Sequence, residues 1–216
     1  MESHQSRHRS EGIELGAALT ALRLTAILVI LCGVIFPAVL FLLGHIAFPR
    51  QAEGSLVRSG DRVVGSALVG QSFVRPDYFH GRPSATAYNA AGSGGSNIGP
   101  TNPQLLAGNG SSYAGIAAFA RQFREENGLG PTVPLPADVV TASGSGIDPH
   151  ISPDGAALQL RRVAAARAPG VGADEVAALL RLHTRGPTLG VLGEPRVNVL
   201  LLNLALDSLS RTRTSR

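Results

Sequence analysis

The chain has 216 residues and a formal charge of +4, and its nineteen basic residues other than histidine are all arginine. Without lysine there is no Schiff-base amine, no Ser-Lys dyad and no Walker lysine to reach a nucleotide's β- and γ-phosphates. The arginines are scattered and only 5% of residues are aromatic, which excludes a basic run and a base-stacking platform, so no nucleic acid is expected as a partner.

Residues 1–23 are polar and mixed in charge, the composition of a short disordered tail. Leu24 to Phe48 carries no formal charge, with Arg23 closing one end and Arg50 just beyond the other. At about 1.5 Å per residue this stretch covers about 37 Å, enough to cross a bilayer with some tilt. A signal peptide has an apolar core of only about 7–15 residues and a small-x-small cleavage site. Neither fits here, and a retained transmembrane helix over 24–48 is expected. Pro37 lies mid-span, where it removes a backbone hydrogen bond and should kink the helix; with Gly33 nearby it points to packing against another membrane helix. Charge does not orient the span, because Arg7, Arg9 and Arg23 precede it and Arg50, Arg58 and Arg62 follow it. The only cysteine, Cys32, lies inside it, so the remainder has no disulfide and no thiol nucleophile.

Residues 49–209 read as one α+β domain, with 210–216 a polar tail. Gly54 to Val69 predicts a strand pair turning at Ser59-Gly60-Asp61. From Gly70 to Pro103 the chain is rich in Gly, Ser, Asn and Pro without periodicity; Phe73, Tyr78, Phe79 and Tyr88 argue for an ordered, elaborated loop, a length that is usually functional or disordered. A helix is predicted from Ser111 or Ser112 to Asn127, serine-capped, ended by Gly128, with Ile116, Phe119, Ala120 and Phe123 on one face. Ser152-Pro153-Asp154 is a helix start, and Pro169-Gly170 ends that element. Asp154-Gly155 falls where helix-favouring residues are usual, at a cost of about 1 kcal/mol. Asp174 to His183 predicts a further helix; Pro195 to Val199 reads as a strand, and Leu200 to Leu209 as a helix, although the alternation of Val197, Val199 and Leu201 suits a longer strand equally.

Chemical motifs are scarce. There is no GxSxG elbow, no HExxH and no Walker sequence. His80, His150, Asp77 and Asp148 supply metal-ligand residue types without a spacing signature, and no metal is expected. Gly92 to Asn97 and Ser143 to Gly146 can present backbone N–H groups to an anion, but glycine used for turns accounts for both.

Five stretches nevertheless carry a resemblance: Gly65 to Gln71, Tyr78 to Thr86, Gly92 to Asn97, Val140 to Pro153, and Arg196 to Val199 with Leu202 to Asp207. In this order they closely resemble the C subunit of the Kdp potassium-transporting ATPase, the KdpC family, over about nine-tenths of the chain. The resemblance implies a single-span accessory subunit, not itself an enzyme, in a bacterial plasma-membrane complex. Its implied partners are a potassium-channel-like subunit and a P-type ATPase subunit. The chain lacks the pump's Asp-Lys-Thr-Gly motif and any Thr-Val-Gly-Tyr-Gly filter, so neither transport step is its own. The family's topology implies a cytoplasmic N-terminus and an extracytoplasmic domain.

Two roles follow from the resemblance. In one, the subunit stabilises assembly and promotes ATP-coupled potassium import as a catalytic chaperone that raises the pump's ATP affinity. No nucleotide is then held tightly, ATP is shared with the pump subunit, and Ser143, Gly144, Ser145, Gly146 and Gln159 are the contacts to test. In the other, the domain is a purely structural cap over the channel subunit that shapes ion access. The interface candidates are Pro37, Tyr78, His80, Arg82, Tyr88, Ser96, Asn97, Asp148 and His150. Many of the shared residues are expected simply to hold turns, Gly81, Gly94, Gly95 and Gly146 in special backbone angles, Asn97 and Asp148 as side-chain caps.

Overall fold

The structure, a computed structural model, describes residues 2–110 and 113–214 and divides into two units, residues 1–55 and 56–216. The first unit is helical: α1 (Glu2–Ile30), a π-helical turn (Leu31–Ile35), α2 (Phe36–Ala47) and a short α3 (Pro49–Ala52). Gly16–Ala47 is long and apolar enough to cross a membrane, and its large aliphatic side chains are exposed. The stretch expected as a disordered tail is instead helical in backbone from Glu2. No proline precedes Pro37, so no residue without an N–H interrupts the ladder as the helix propagates backwards, one hydrogen bond per added residue.

Pro37 acts as its chemistry requires. It has no N–H and its ring crowds the carbonyl four residues back. The helix answers by widening over the preceding turn, where the Phe36 N–H reaches Leu31 O, five residues back.

In the second unit β1 (Leu56–Ser59) and β2 (Arg62–Ser66) form the expected antiparallel hairpin, bulged between Val57 and Arg58. No helix or strand follows until α4 (Gln104–Ala107). Next comes α5 (Ile116–Asn127), closed by Gly128 in the left-handed region at φ 60°. Its N-cap is Gly115 rather than serine, and Ser111 and Ser112 lie outside the described residues. Ile116, Phe119 and Ala120 pack as expected on buried Phe123, Val139 and Val140.

A 3-10 turn (Ala137–Val139) leads to β3 (His150–Ile151), α6 (Pro153–Ala157), α7 (Leu160–Arg167), α8 (Ala173–His183), β4 (Thr184–Arg185), β5 (Arg196–Asn198) and α9 (Val199–Thr214). The three strands make one antiparallel sheet in the order β3-β5-β4, with His150 opposite Asn198 and Thr184 opposite Val197. The predicted Ser152 cap forms: its hydroxyl accepts from Gly155 N at 3.0 Å. The helix it starts is split, because the Gln159 N–H bonds Ala156 O, three residues back, and tightens the ladder there. After β5 the chain turns helical because Asn198 caps α9, its Oδ1 accepting from Leu201 N at 3.1 Å. The competing reading of a longer strand ends at that residue.

Gly155 has a packing reason that propensity could not show. It is buried, and a Cβ there would lie 2.6 Å from Val139 Cγ1. The main core joins Ile151, Val163, Val176, Val197, Leu202 and Leu206 from the helices and sheet, with one residue from the irregular loop, Phe79, at 0% exposure.

Candidate functional site

A loop running from β2 to α4 has no ladder of its own, yet its buried N–H and C=O groups must be paired. Helix side chains supply the partners. From α7, Arg162 Nη1 donates to Pro76 O at 2.7 Å and Tyr78 O at 2.9 Å, and Arg167 Nε donates to Asp77 O at 2.7 Å. Two amides complete the set. Asn203 of α9 accepts from Phe79 N and donates to Phe79 O, each at 2.9 Å. Gln159 accepts from His80 N at 2.7 Å and donates to His80 O at 3.1 Å.

The side chains of this run are ordered by charge. The guanidinium groups of Arg75 and Arg167 both lie over the Tyr78 ring, at 5.3 and 5.0 Å from its centre. Its hydroxyl donates to Asp207 Oδ2 at 3.0 Å, and the other Asp207 oxygen accepts from Arg167 Nη2 at 2.9 Å. Burial first, then the bond to Asp207, raise the Tyr78 phenol above its ordinary value. The His80 ring faces an oxygen on each side, Glu126 Oε2 at 3.3 Å and Arg75 O at 3.0 Å.

Arg82 and Tyr88 organise the next turn. Tyr88 donates to Arg82 O at 2.6 Å, and Arg82 Nη1 donates to Asp148 Oδ2 at 3.1 Å. Burial pushes the Tyr88 phenol up to about 12, with the Asp148 charge adding and Arg82 opposing. For Asp148 itself burial raises the pKa, but the side-chain and backbone donors of His150 and the charge of Arg82 together hold it below the usual carboxylate range. Ser84 Oγ donates to Gly146 O at 2.5 Å while accepting from Tyr88 N at 2.9 Å.

Two open clefts meet at Arg82. One, of about 290 Å³, is walled by Phe73, His80, Tyr88, Phe119 and Glu126; the other, of about 560 Å³, by Asp138, Asp148, His150, Glu194 and Arg196. Arg82 lines both, and its Nε is buried without a hydrogen-bond partner.

The structure gathers Tyr78, His80, Arg82, Tyr88, Asp148 and His150 on the loop and its supports, as described. Ser96 is half-buried, and Asn97 is exposed with φ at 54°. Asn97 thus takes the left-handed backbone itself, whereas Asp148 does cap, accepting from His150 N at 2.9 Å. Of the glycines expected to need special angles, Gly146 has one, at φ 69°. Gly81 and Gly95 are instead small because a Cβ would meet Tyr88 Oη and Gly144 O respectively. Pro37 belongs to the other unit.

Four of the five nucleotide candidates, Ser143, Ser145, Gly146 and Gln159, are engaged in internal bonds, and Gly144 is exposed between them. Gly146 N donates to Ser143 Oγ at 3.0 Å, and Ser145 O accepts from Gly94 N at 2.8 Å and Ser93 Oγ at 2.9 Å, so the two glycine-rich runs fasten each other. Gln159 is 0% exposed, and its amide also contacts Gly155 O and Arg162 Nη2. None of Ser143, Gly144, Ser145, Gly146 or Gln159 walls either cleft beside Arg82. Among the described residues no three His, Cys, Asp or Glu side chains gather in a metal-binding arrangement. Asp77 pairs with Arg75, Asp148 with Arg82 and His150.

Reading the residues one by one missed Arg162, Arg167, Asn203 and Asp207 as the fasteners of the loop. The available signal was an amide and a carboxylate inside the otherwise apolar Leu200 to Leu209 run, where a polar group needs a reason.

The family model described as K+-transporting ATPase, c chain, matches residues 18–208. A Burkholderia vietnamiensis protein named Potassium-transporting ATPase KdpC subunit is 52% identical over 186 residues, 85% of this chain and 91% of its own length. Its namesake from Gemmatimonas aurantiaca is 51% identical over 198 residues, covering 90% and 94%. That from Methylococcus capsulatus is 50% identical over 192 residues, covering 88% and 96%.

Proposed function

This chain belongs to the KdpC family, the c chains of K+-transporting ATPases, and from that premise we propose that it is a structural accessory subunit in potassium uptake, docking on its partner subunits through the fastened loop. The observation that carries this reading is the engagement of Ser143, Ser145, Gly146 and Gln159 in internal bonds while the clefts beside Arg82 stay open. Arginine-rich, aromatic, polar surfaces of this kind suit protein interfaces. The partners are a channel-like potassium-binding subunit and a P-type ATPase subunit. Gly16–Ala47 spans the bacterial plasma membrane, with the N-terminus cytoplasmic and the second unit outside, beyond the reach of cytosolic ATP.

The test is co-purification of the two larger subunits with Arg82→Ala and, as control, Arg211→Ala, whose side chain is exposed on α9. Arg82→Ala is expected to weaken assembly and leave the KM for ATP of the assembled fraction unchanged. Intact assembly with a raised KM for ATP would instead support the catalytic-chaperone role. Topology is read by labelling Ala173→Cys, in a Cys32→Ala background, with a membrane-impermeant thiol reagent. Labelling in intact cells is expected; labelling only after lysis would overturn the outside placement.

A further inference from the structure

The connection between β4 and β5 ends in a tight turn that presents aliphatic side chains to solvent. Leu189 is 87% exposed and Val191 79%, and Leu182, at the end of α8, is also 79% exposed. The turn is built rather than loose. Thr188 N donates to Leu192 O at 2.8 Å and Leu192 N to Thr188 O at 2.9 Å, while Gly190 N bonds Pro187 O at 3.1 Å. Leu189 itself takes a positive φ of 55°, an uncommon conformation for a residue with a Cβ. The N–H groups of Thr188, Gly190, Val191 and Leu192 are thus paired within the turn while Leu189 and Val191 are exposed.

Two arginines stand at the base of this tip. Arg185 and Arg196 pair across β4 and β5, Arg185 is exposed, and Arg196 reaches Thr188 Oγ1 at 3.3 Å; Glu194 is the opposing charge. An apolar tip with an arginine collar is complementary to an anionic lipid surface, where aliphatic groups enter the acyl boundary and guanidinium groups meet phosphates. A protein hot spot would more often present aromatic rings, and this tip has none. We propose that the Leu189-Gly190-Val191-Leu192 tip inserts shallowly into the anionic membrane in which the chain's own helix is anchored. This rests on the reading that Gly16–Ala47 spans that membrane, which keeps lipid at high local concentration.

The full chain is reconstituted in vesicles of phosphatidylglycerol and phosphatidylcholine, with and without brominated acyl chains. A bimane label is placed at native Cys32, or at Val191→Cys or Ala173→Cys in a Cys32→Ala background; Ala173, at the far end of α8, is exposed. The expected result is quenching and a blue shift at Val191→Cys, and at Cys32, but not at Ala173→Cys. Quenching at Cys32 alone overturns the insertion and leaves the span intact. Quenching at Val191→Cys alone supports the insertion and overturns the span, and quenching at neither overturns both. Protection of Val191→Cys only after the two larger subunits are added assigns the tip to a protein partner and overturns the proposal. Replacing Arg185 with Gln should weaken tip insertion about fivefold; unchanged quenching would overturn the role of the collar.

Discussion

Asn203 and Phe79 pair as two strands would: the buried amide of one accepts from the backbone N–H of the other and donates to its carbonyl, each at 2.9 Å. Replacing Asn203 with Leu keeps the volume and leaves both Phe79 groups unpaired in a site that is 1% exposed at residue 203. The expected loss is about 2–6 kcal/mol, about one to three for each of the two orphaned groups. Thermal unfolding of the detergent-solubilised chain measures it, and a midpoint equal to wild type would show that the loop does not depend on this amide.

Gly155→Ala sets propensity against packing. The helix gains about 1 kcal/mol from losing a glycine, but the new methyl meets Val139 Cγ1 at 2.6 Å, and overpacking costs about 1–3 kcal/mol. Net destabilisation is expected, relieved when Val139→Ala is added. A stabilised single variant would mean that the contact relaxes freely.

Alkaline stability follows the Tyr88 phenol, shifted from 10.0 to about 12. Its folded value is raised, so its contribution is complete below the unfolded value near 10 and is lost as pH rises through about 12. Tyr78 and Tyr113 are raised in the same direction. Unfolding curves should therefore steepen on the alkaline limb, and Tyr88→Phe should flatten that limb. An identical slope in the variant would contradict the assignment.

The acid limb has the opposite sign. The folded pKa of Asp148 is depressed, so the stability it contributes is present above the unfolded value of 3.8 and disappears as pH falls through the folded one. Asp148→Asn should lower stability at neutral pH and remove part of the acid dependence. A variant with the full wild-type acid dependence would place the titration elsewhere.

Pro37→Leu is expected to restore the regular ladder through residues 31–37. Removing a π turn re-registers the helix by one residue, turning one half against the other by about 100°. Co-purification with the larger subunits should fall, and unchanged recovery would show that neither half packs in a fixed rotation.

What the sequence made legible was local. The β1–β2 hairpin, the apolar face of α5, the Gly128 stop and the Ser152 cap all announce themselves within a few residues. The loop was legible as irregular and ordered, from its glycines and rings. Its fasteners were not, since Arg162 reaches Pro76 across 86 positions and Asn203 reaches Phe79 across 124. Periodicity carries no information on such pairs. Nor did propensity anticipate Gly155, whose small size answers to Val139 on another segment. Among the candidate site residues, Asp148 and His150 are near neighbours in sequence, but nothing in the spacing linked Arg82 to Asp148, which it reaches across 66 positions.

The placement of Asn203 and Asp207 on the last helix also has a temporal side. A ribosome delivers residues 70–103 long before α9 exists, and until then Phe79 and Tyr78 lack the partners that hold them. The loop can set only when α9 has left the exit tunnel and folded back. A product truncated or stalled before α9 would therefore leave the loop unfastened, and only a copy carrying α9 could present the loop surface proposed for docking.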